Sequence, residues 1–118
     1  MEGVSPNAMI DFTPSFDLAE ARALLPALQR MTAAAAVRVE VALCESDDDE
    51  EQGALARRID GVFTAWRDAV ELLGARSAGL WTVEFFNGDG WYCWRWPEPD
   101  VVRYRPAEER GGDGHLLQ

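Results

Sequence analysis

Lysine is absent from the 118 residues. All 11 basic side chains are arginine, against 21 Asp and Glu, and the formal charge is −10. That sign opposes non-specific binding to nucleic acid or to an anionic membrane surface. Histidine occurs once, as His115. A Ser-His-Asp triad, a Cys with an imidazole base or the Glu-x-x-His pairs of a di-iron bundle therefore have little to work with. The two cysteines, Cys44 and Cys93, are far apart and match neither redox nor zinc spacing. Reduced thiols in a cytoplasm are expected, with no disulfide framework. The longest apolar run, Ala33 to Val37, cannot cross a bilayer. No P-loop or dinucleotide fingerprint occurs, and no basic-then-apolar start suggests a signal peptide. Met9 is a second candidate start. No cofactor, no metal, no membrane and no nucleic-acid partner are expected, and no motif spells out a reaction.

What is present describes one α+β domain over residues 16–105, between an N-terminal arm (1–15, with Pro6 and Pro14) and a Gly-rich C-terminal tail (106–118) expected to be mobile. Arginine without lysine, with abundant alanine, matches the usage of a GC-rich bacterial genome. About half of the acidic excess lies in one run, from Glu45 to Glu51. It lacks the spaced Asp-x-Asp-x-Asp-Gly order that wraps a cation, so it reads as a solvated connection that aids solubility or meets a basic partner.

Asp17 with Glu20 three residues later makes a capping box. Leu18, Ala21, Leu25, Leu28, Thr32, Ala35, Val39 and Ala42 then repeat at 3–4 spacing, a helix with one apolar stripe. Pro26 is expected to kink or divide it. After the acidic run a second stripe follows: Leu55, Ile59, Val62, Trp66, Ala69 and Leu73. Two such stripes joined by a polar connection predict a long antiparallel helical hairpin, coiled-coil-like in its seam, with Gly74 as the stop.

The period then changes to two. Leu80–Phe86, Trp91–Trp96 and Val101–Arg105 read as three strands of an antiparallel meander. Asn87-Gly88-Asp89-Gly90 forms the first turn and Pro97-Glu98-Pro99-Asp100 the second. Four of the five tryptophans fall in residues 81–96. An even-length turn sets Trp81, Val83 and Phe85 beside Tyr92, Trp94 and Trp96, completed by Val102 and Tyr104, as the face that packs on the helices.

These features resemble the domain-of-unknown-function family 2203. That family opens with Phe-Thr-x-x-Glu-Ala and a Leu-Pro in its first helix, similar to Phe16-Asp17-Leu18-Ala19-Glu20-Ala21 and Leu24-Leu25-Pro26. Its later Gly-Leu-Val-Asp-Phe, Leu-Cys-Trp, Gly-Glu and Tyr-Trp-His elements resemble Gly79-Leu80 with Phe85 or Phe86, Tyr92-Cys93-Trp94, Pro97-Glu98 and Arg103-Tyr104-Arg105. The family's His position is Arg105 here. The resemblance spans residues 16–105 and implies the fold; it implies no activity.

The candidate binding residues are Phe86, Trp91, Arg95, Glu98 and Arg103, on the outer face of the meander with Glu84 and Val101 nearby. Rings beside Arg and a carboxylate suit a small molecule, a peptide or a protein partner. The same composition suits a face covered by the tail or by a second copy. Glu98 between two prolines is either a presented carboxylate or a turn residue paired with Arg95 or Arg103. Cys93 is either a thiol activated by Arg95 or a half-buried structural residue. Two helices and three strands cannot cover both sides of the sheet, so a self-associating, non-enzymatic interaction module, most simply a homodimer, is the leading expectation, with a small-molecule or peptide binder as the alternative.

Overall fold

In the computed structural model, which describes residues 15–46, 52–107 and 115–116, the chain enters its first helix through the capping box. The Glu20 N–H donates to Asp17 Oδ1 at 2.7 Å and the Asp17 N–H donates to Glu20 Oε1 at 2.9 Å. Helix α1 spans Leu18–Glu45 and α2 spans Gln52–Leu72. Ala21, Leu25, Leu28, Thr32, Ala35 and Ala42 of the first stripe are buried. Pro26 does not divide α1. Its ring is on the exposed side, where water can serve the i−4 carbonyl of Arg22 that Pro26 has no N–H to fill.

On α2 the buried positions are Trp66 and Val70, a wider arc than the seam Leu55–Leu73 alone. The last turns of α2 face both α1 and the sheet, so burial spreads past one stripe. The Trp66 Nε1–H donates to Thr32 Oγ1 at 2.8 Å, a buried polar link between the helices. Gly74, at φ +92°, follows the end of α2, and its N–H donates to the Glu71 carbonyl at 3.0 Å.

Five antiparallel strands follow in sequence order: β1 Arg76–Ser77, β2 Thr82–Phe86, β3 Gly90–Arg95, β4 Arg103–Pro106 and β5 His115–Leu116. The expected three-stranded meander is thus the centre of a wider one. The backbone of His115 and Leu116, expected to lie in a mobile tail, instead pairs with Tyr104 and Arg103. Without β5, β4 would be an edge with unpaired N–H and C=O groups. Trp81 sits at φ +52°, before β2 begins, so the first strand is shorter than its apolar run.

The β2–β3 register is Val83↔Trp94 and Phe85↔Tyr92, the parity that the four-residue turn imposes. Asn87 Oδ1 accepts from the N–H groups of Asp89 and Gly90 at 2.9 and 2.8 Å. Gly90 must be glycine for space, because a Cβ there would lie 2.5 Å from the Arg105 carbonyl. Val83, Phe85 and Trp94 are fully buried between the strands and the helices. Trp66 meets Trp81 edge-on at 5.1 Å, and Phe16 meets Phe85 edge-on at 5.4 Å.

Val102 was expected on this inner face and Val101 on the outer. Val101 is the buried one, 1% exposed. Pairing on β4 begins only at Arg103, and Asp100 caps the Val101 N–H at 2.7 Å, so strand alternation does not yet govern residues 101–102. Arg22 on α1 reaches Asp100 at 3.0 Å, and the Phe16 N–H donates to the Phe86 carbonyl at 2.7 Å; both tie the start of α1 to the sheet.

The central cluster of the core reaches along α1 as far as Ala35. Beyond it, among the described residues, the helices pack on each other, tied at the far end by Arg58 and Glu45.

Candidate functional site

Strand alternation that sends Val83, Phe85 and Trp94 inward sends Glu84, Phe86, Trp91, Cys93 and Arg95 to the opposite side. The register lines them up in rows. Arg76, Glu84, Cys93 and Arg103 form one row across four strands, and Phe86, Trp91 and Arg105 form the next.

Glu84 lies at the centre, its carboxylate buried between two guanidinium groups. Arg76 pairs with Oε1, and Arg105 donates to Oε2 at 2.8 Å. The Arg76 guanidinium also stacks 3.8 Å above the Trp91 ring, which in turn contacts Phe86 at 4.9 Å. The expected aromatic patch is therefore half-buried, with a cation over one of its rings.

Glu98 organises the turn it occupies. Its Oε1 accepts from the Arg95 backbone N–H at 2.8 Å and from Arg103 Nη2 at 3.0 Å; its Oε2 pairs with Arg103 Nη1. Its carbonyl accepts from the Trp94 Nε1–H at 2.7 Å. Glu98 thus links the inner tryptophan to an outer arginine.

Between these pairs lies a polar pocket of about 150 Å³, lined by Ala78, Thr82, Glu84, Cys93, Arg95, Arg103 and Arg105. Of the residues singled out in the sequence, Arg95 and Arg103 meet at this pocket, Glu98 holds Arg103 from beside it, and Phe86 with Trp91 form a separate pair. Arg76 and Arg105 are not among the candidate binding residues read from the sequence. Arg76 sits in a two-residue strand with no periodic signal. Arg105 was legible from parity with Arg103, since both flank the inward Tyr104.

The Cys93 thiol is pushed above its ordinary range, first by burial and next by the Glu84 carboxylate; Arg105 and Arg103 act in the opposite direction without prevailing. Of the two readings of Cys93, the structural thiol is the one this burial supports: a buried thiol beside a carboxylate resists ionisation. Cys44 is exposed on α1. In native protein at neutral pH, one thiol per chain should react promptly with a thiol reagent, and the second only on unfolding. Two equally fast thiols would contradict the burial of Cys93. Since the folded-state pKa is raised, this group's contribution to stability is intact below the ordinary thiol pKa and is lost as pH rises through the folded value.

A second surface lies on the flank of the hairpin. Along the edge of the buried seam runs a row at the same spacing, apolar except for two arginines and sharing Val62 and Ala69 with the seam: Met31, Ala34, Arg38 and Val41 on α1, and Arg58, Val62, Ala65 and Ala69 on α2. Two depressions of about 410 and 240 Å³ follow it, sharing Arg38 and Val62, and so form one groove. Val37 and Val41 on its rim are 55% and 44% exposed. Arg58 reaches Glu45 at 3.2 Å across the hairpin, at the far end of the groove. Most of the acidic run, residues 47–51, lies outside the described residues.

Scans against protein-family models, curated proteins and solved structures return no match. The chemistry of these two surfaces is thus the ground for any functional reading. Among the described residues, no three or more His, Cys, Asp and Glu side chains are grouped to hold a metal ion, and no helix is long and apolar enough to cross a membrane.

Proposed function

We propose that this protein is a non-enzymatic interaction module that self-associates through the flank of its helical hairpin. The observation that carries the reading is the continuous groove from Met31 and Ala69 to Val41 and Arg58. It has the 3–4 spacing and small residues of a helix-packing seam, and its end at Val37 and Val41 lies beyond the part of the hairpin that the core cluster covers.

The occupant is a second copy. Residues 31–45 of α1 with the facing part of α2 present a surface about 22 Å long and ~20 Å wide, so two copies bury on the order of 900 Å², the size of a weak, reversible association. Charge favours tip-to-tail pairing. That arrangement sets Glu45 of one copy beside Arg30 of the other. Tip-to-tip pairing sets Glu45 beside Glu45. The outer sheet face, with its buried Arg–Glu pairs, has the wrong polarity for the same role.

Sedimentation equilibrium at tens of micromolar tests the proposal. The wild-type chain is expected at twice 13.1 kDa, and the Val37→Glu/Val41→Glu variant at 13.1 kDa with unchanged circular dichroism. Both positions are exposed in the single chain, so the variant does not threaten folding. A wild-type monomer at that concentration sinks the reading. The free thiols Cys44 and Cys93 support a reducing, cytoplasmic setting. The resemblance to the domain-of-unknown-function family 2203 rests on the short motifs quoted above and adds no activity to this proposal.

A further inference from the structure

The outer-face pocket lies on the side of the sheet away from the helices, so nothing about it depends on the hairpin pairing. Three arginines reach it: Arg95 from β3, and Arg103 and Arg105 from β4. The side chains of Arg103 and Arg105 are only 13% and 15% exposed, and Glu98 and Glu84 hold their heads. A guanidinium already fixed in place loses little conformational freedom on meeting an anion. Glu98 engages two of the five N–H donors that the Arg103 guanidinium carries.

With Arg76, four cations stand on this face beside Glu84 and Glu98 among the described residues. A pocket of about 150 Å³ is too small for a nucleotide or a peptide segment. It accommodates one tetrahedral oxyanion with a few waters, at ~30 Å³ per water. Planar forks arranged around a small polar hollow are the usual donors to such an ion.

We propose that this pocket binds a phosphate-class oxyanion, either the free ion or the head of a phosphomonoester, through Arg95, Arg103 and Arg105. Glu84 and Glu98 are positioning residues that hold two of those guanidinium groups.

Isothermal titration of the full chain in low-chloride buffer, with inorganic phosphate and separately with phosphoserine as probes, tests this. One saturable site per chain is expected, weakened about tenfold by Arg95→Gln and by Arg103→Lys, and weakened further by added salt. Arg95 is an exposed strand residue, so its variant folds; Arg103→Lys keeps a charge facing Glu98 and tests the fork alone. Tighter binding of phosphoserine assigns the pocket to a monoester, and tighter binding of inorganic phosphate assigns it to the free ion. Absence of saturable binding by both probes overturns the proposal, as does saturable binding that neither variant weakens. The monomeric Val37→Glu/Val41→Glu variant should bind as the wild type does, so this proposal and the hairpin reading fail separately.

Discussion

Trp94→Ala is expected to lose about 3–5 kcal/mol of folding stability, the usual cost of deleting a fully buried indole. A 118-residue domain has roughly 6–18 kcal/mol in total, so the variant should be marginal at best. Trp94 is fully buried in β3, paired with Val83 and 6.4 Å from the Trp96 ring. Its effect reaches further than the cavity. The indole N–H donates to the Glu98 carbonyl, and the Glu98 carboxylate holds Arg103, so the outer face loses an anchor when the inner one goes. Trp94→Phe separates the two effects. It keeps an aromatic ring and leaves the Glu98 carbonyl without that donor, for an expected cost of about 1–3 kcal/mol. Urea unfolding should rank wild type above Trp94→Phe above Trp94→Ala. A midpoint for Trp94→Ala within error of wild type contradicts the burial described.

Glu84→Ala carries the second large effect. It removes the carboxylate shared by Arg76 and Arg105, and it leaves Arg105 mostly buried without that partner. Breaking a buried ion pair from one side costs about 3–5 kcal/mol, and the exposed half of the pair, at Arg76, adds little to that. Glu84→Met with Arg105→Leu should cost less than Glu84→Ala alone, since the double change leaves no uncompensated charge in that pair. The thiol gives an independent readout. Glu84 is one of the two main causes that raise the Cys93 pKa. Without it, Arg105 and Arg103 act unopposed by that carboxylate, and the pH profile of Cys93 alkylation should move to lower pH. An unmoved profile in a folded variant means that Glu84 does not govern the thiol.

Much of the fold was legible because its residues obey simple periods. The capping box at Asp17 and Glu20, the buried stripe from Ala21 to Ala42, and the inward parity of Val83, Phe85, Tyr92 and Trp94 follow from spacing and turn length alone. The misreadings cluster where no period operates. Val101 and Val102 exchange roles because pairing starts at Arg103. The two-residue strands β1 and β5 are set by neighbouring edges in need of partners, which the local sequence does not encode. Pro26 marks a breaker by type, but its exposed side made it tolerable. On the outer face, Phe86 with Trp91 and Glu98 with Arg103 were correctly grouped as neighbours. Arg76, eight residues from Glu84, joins them only because a short turn brings β1 beside β2.

The connectivity of this fold has a kinetic consequence. Every strand pairs with the next strand in the chain, and each helix lies against its successor, so most of the structure can form by zippering between neighbours. One step cannot. The start of α1 must find the sheet some 70–78 residues later in the chain, where Phe16 meets Phe86 and Arg22 meets Asp100. Loop closure of that length is the main non-local entropy cost of the topology. The rate at which this chain folds is then set by one docking event between two parts that are each locally organised, and the residues around Phe16 are its latch.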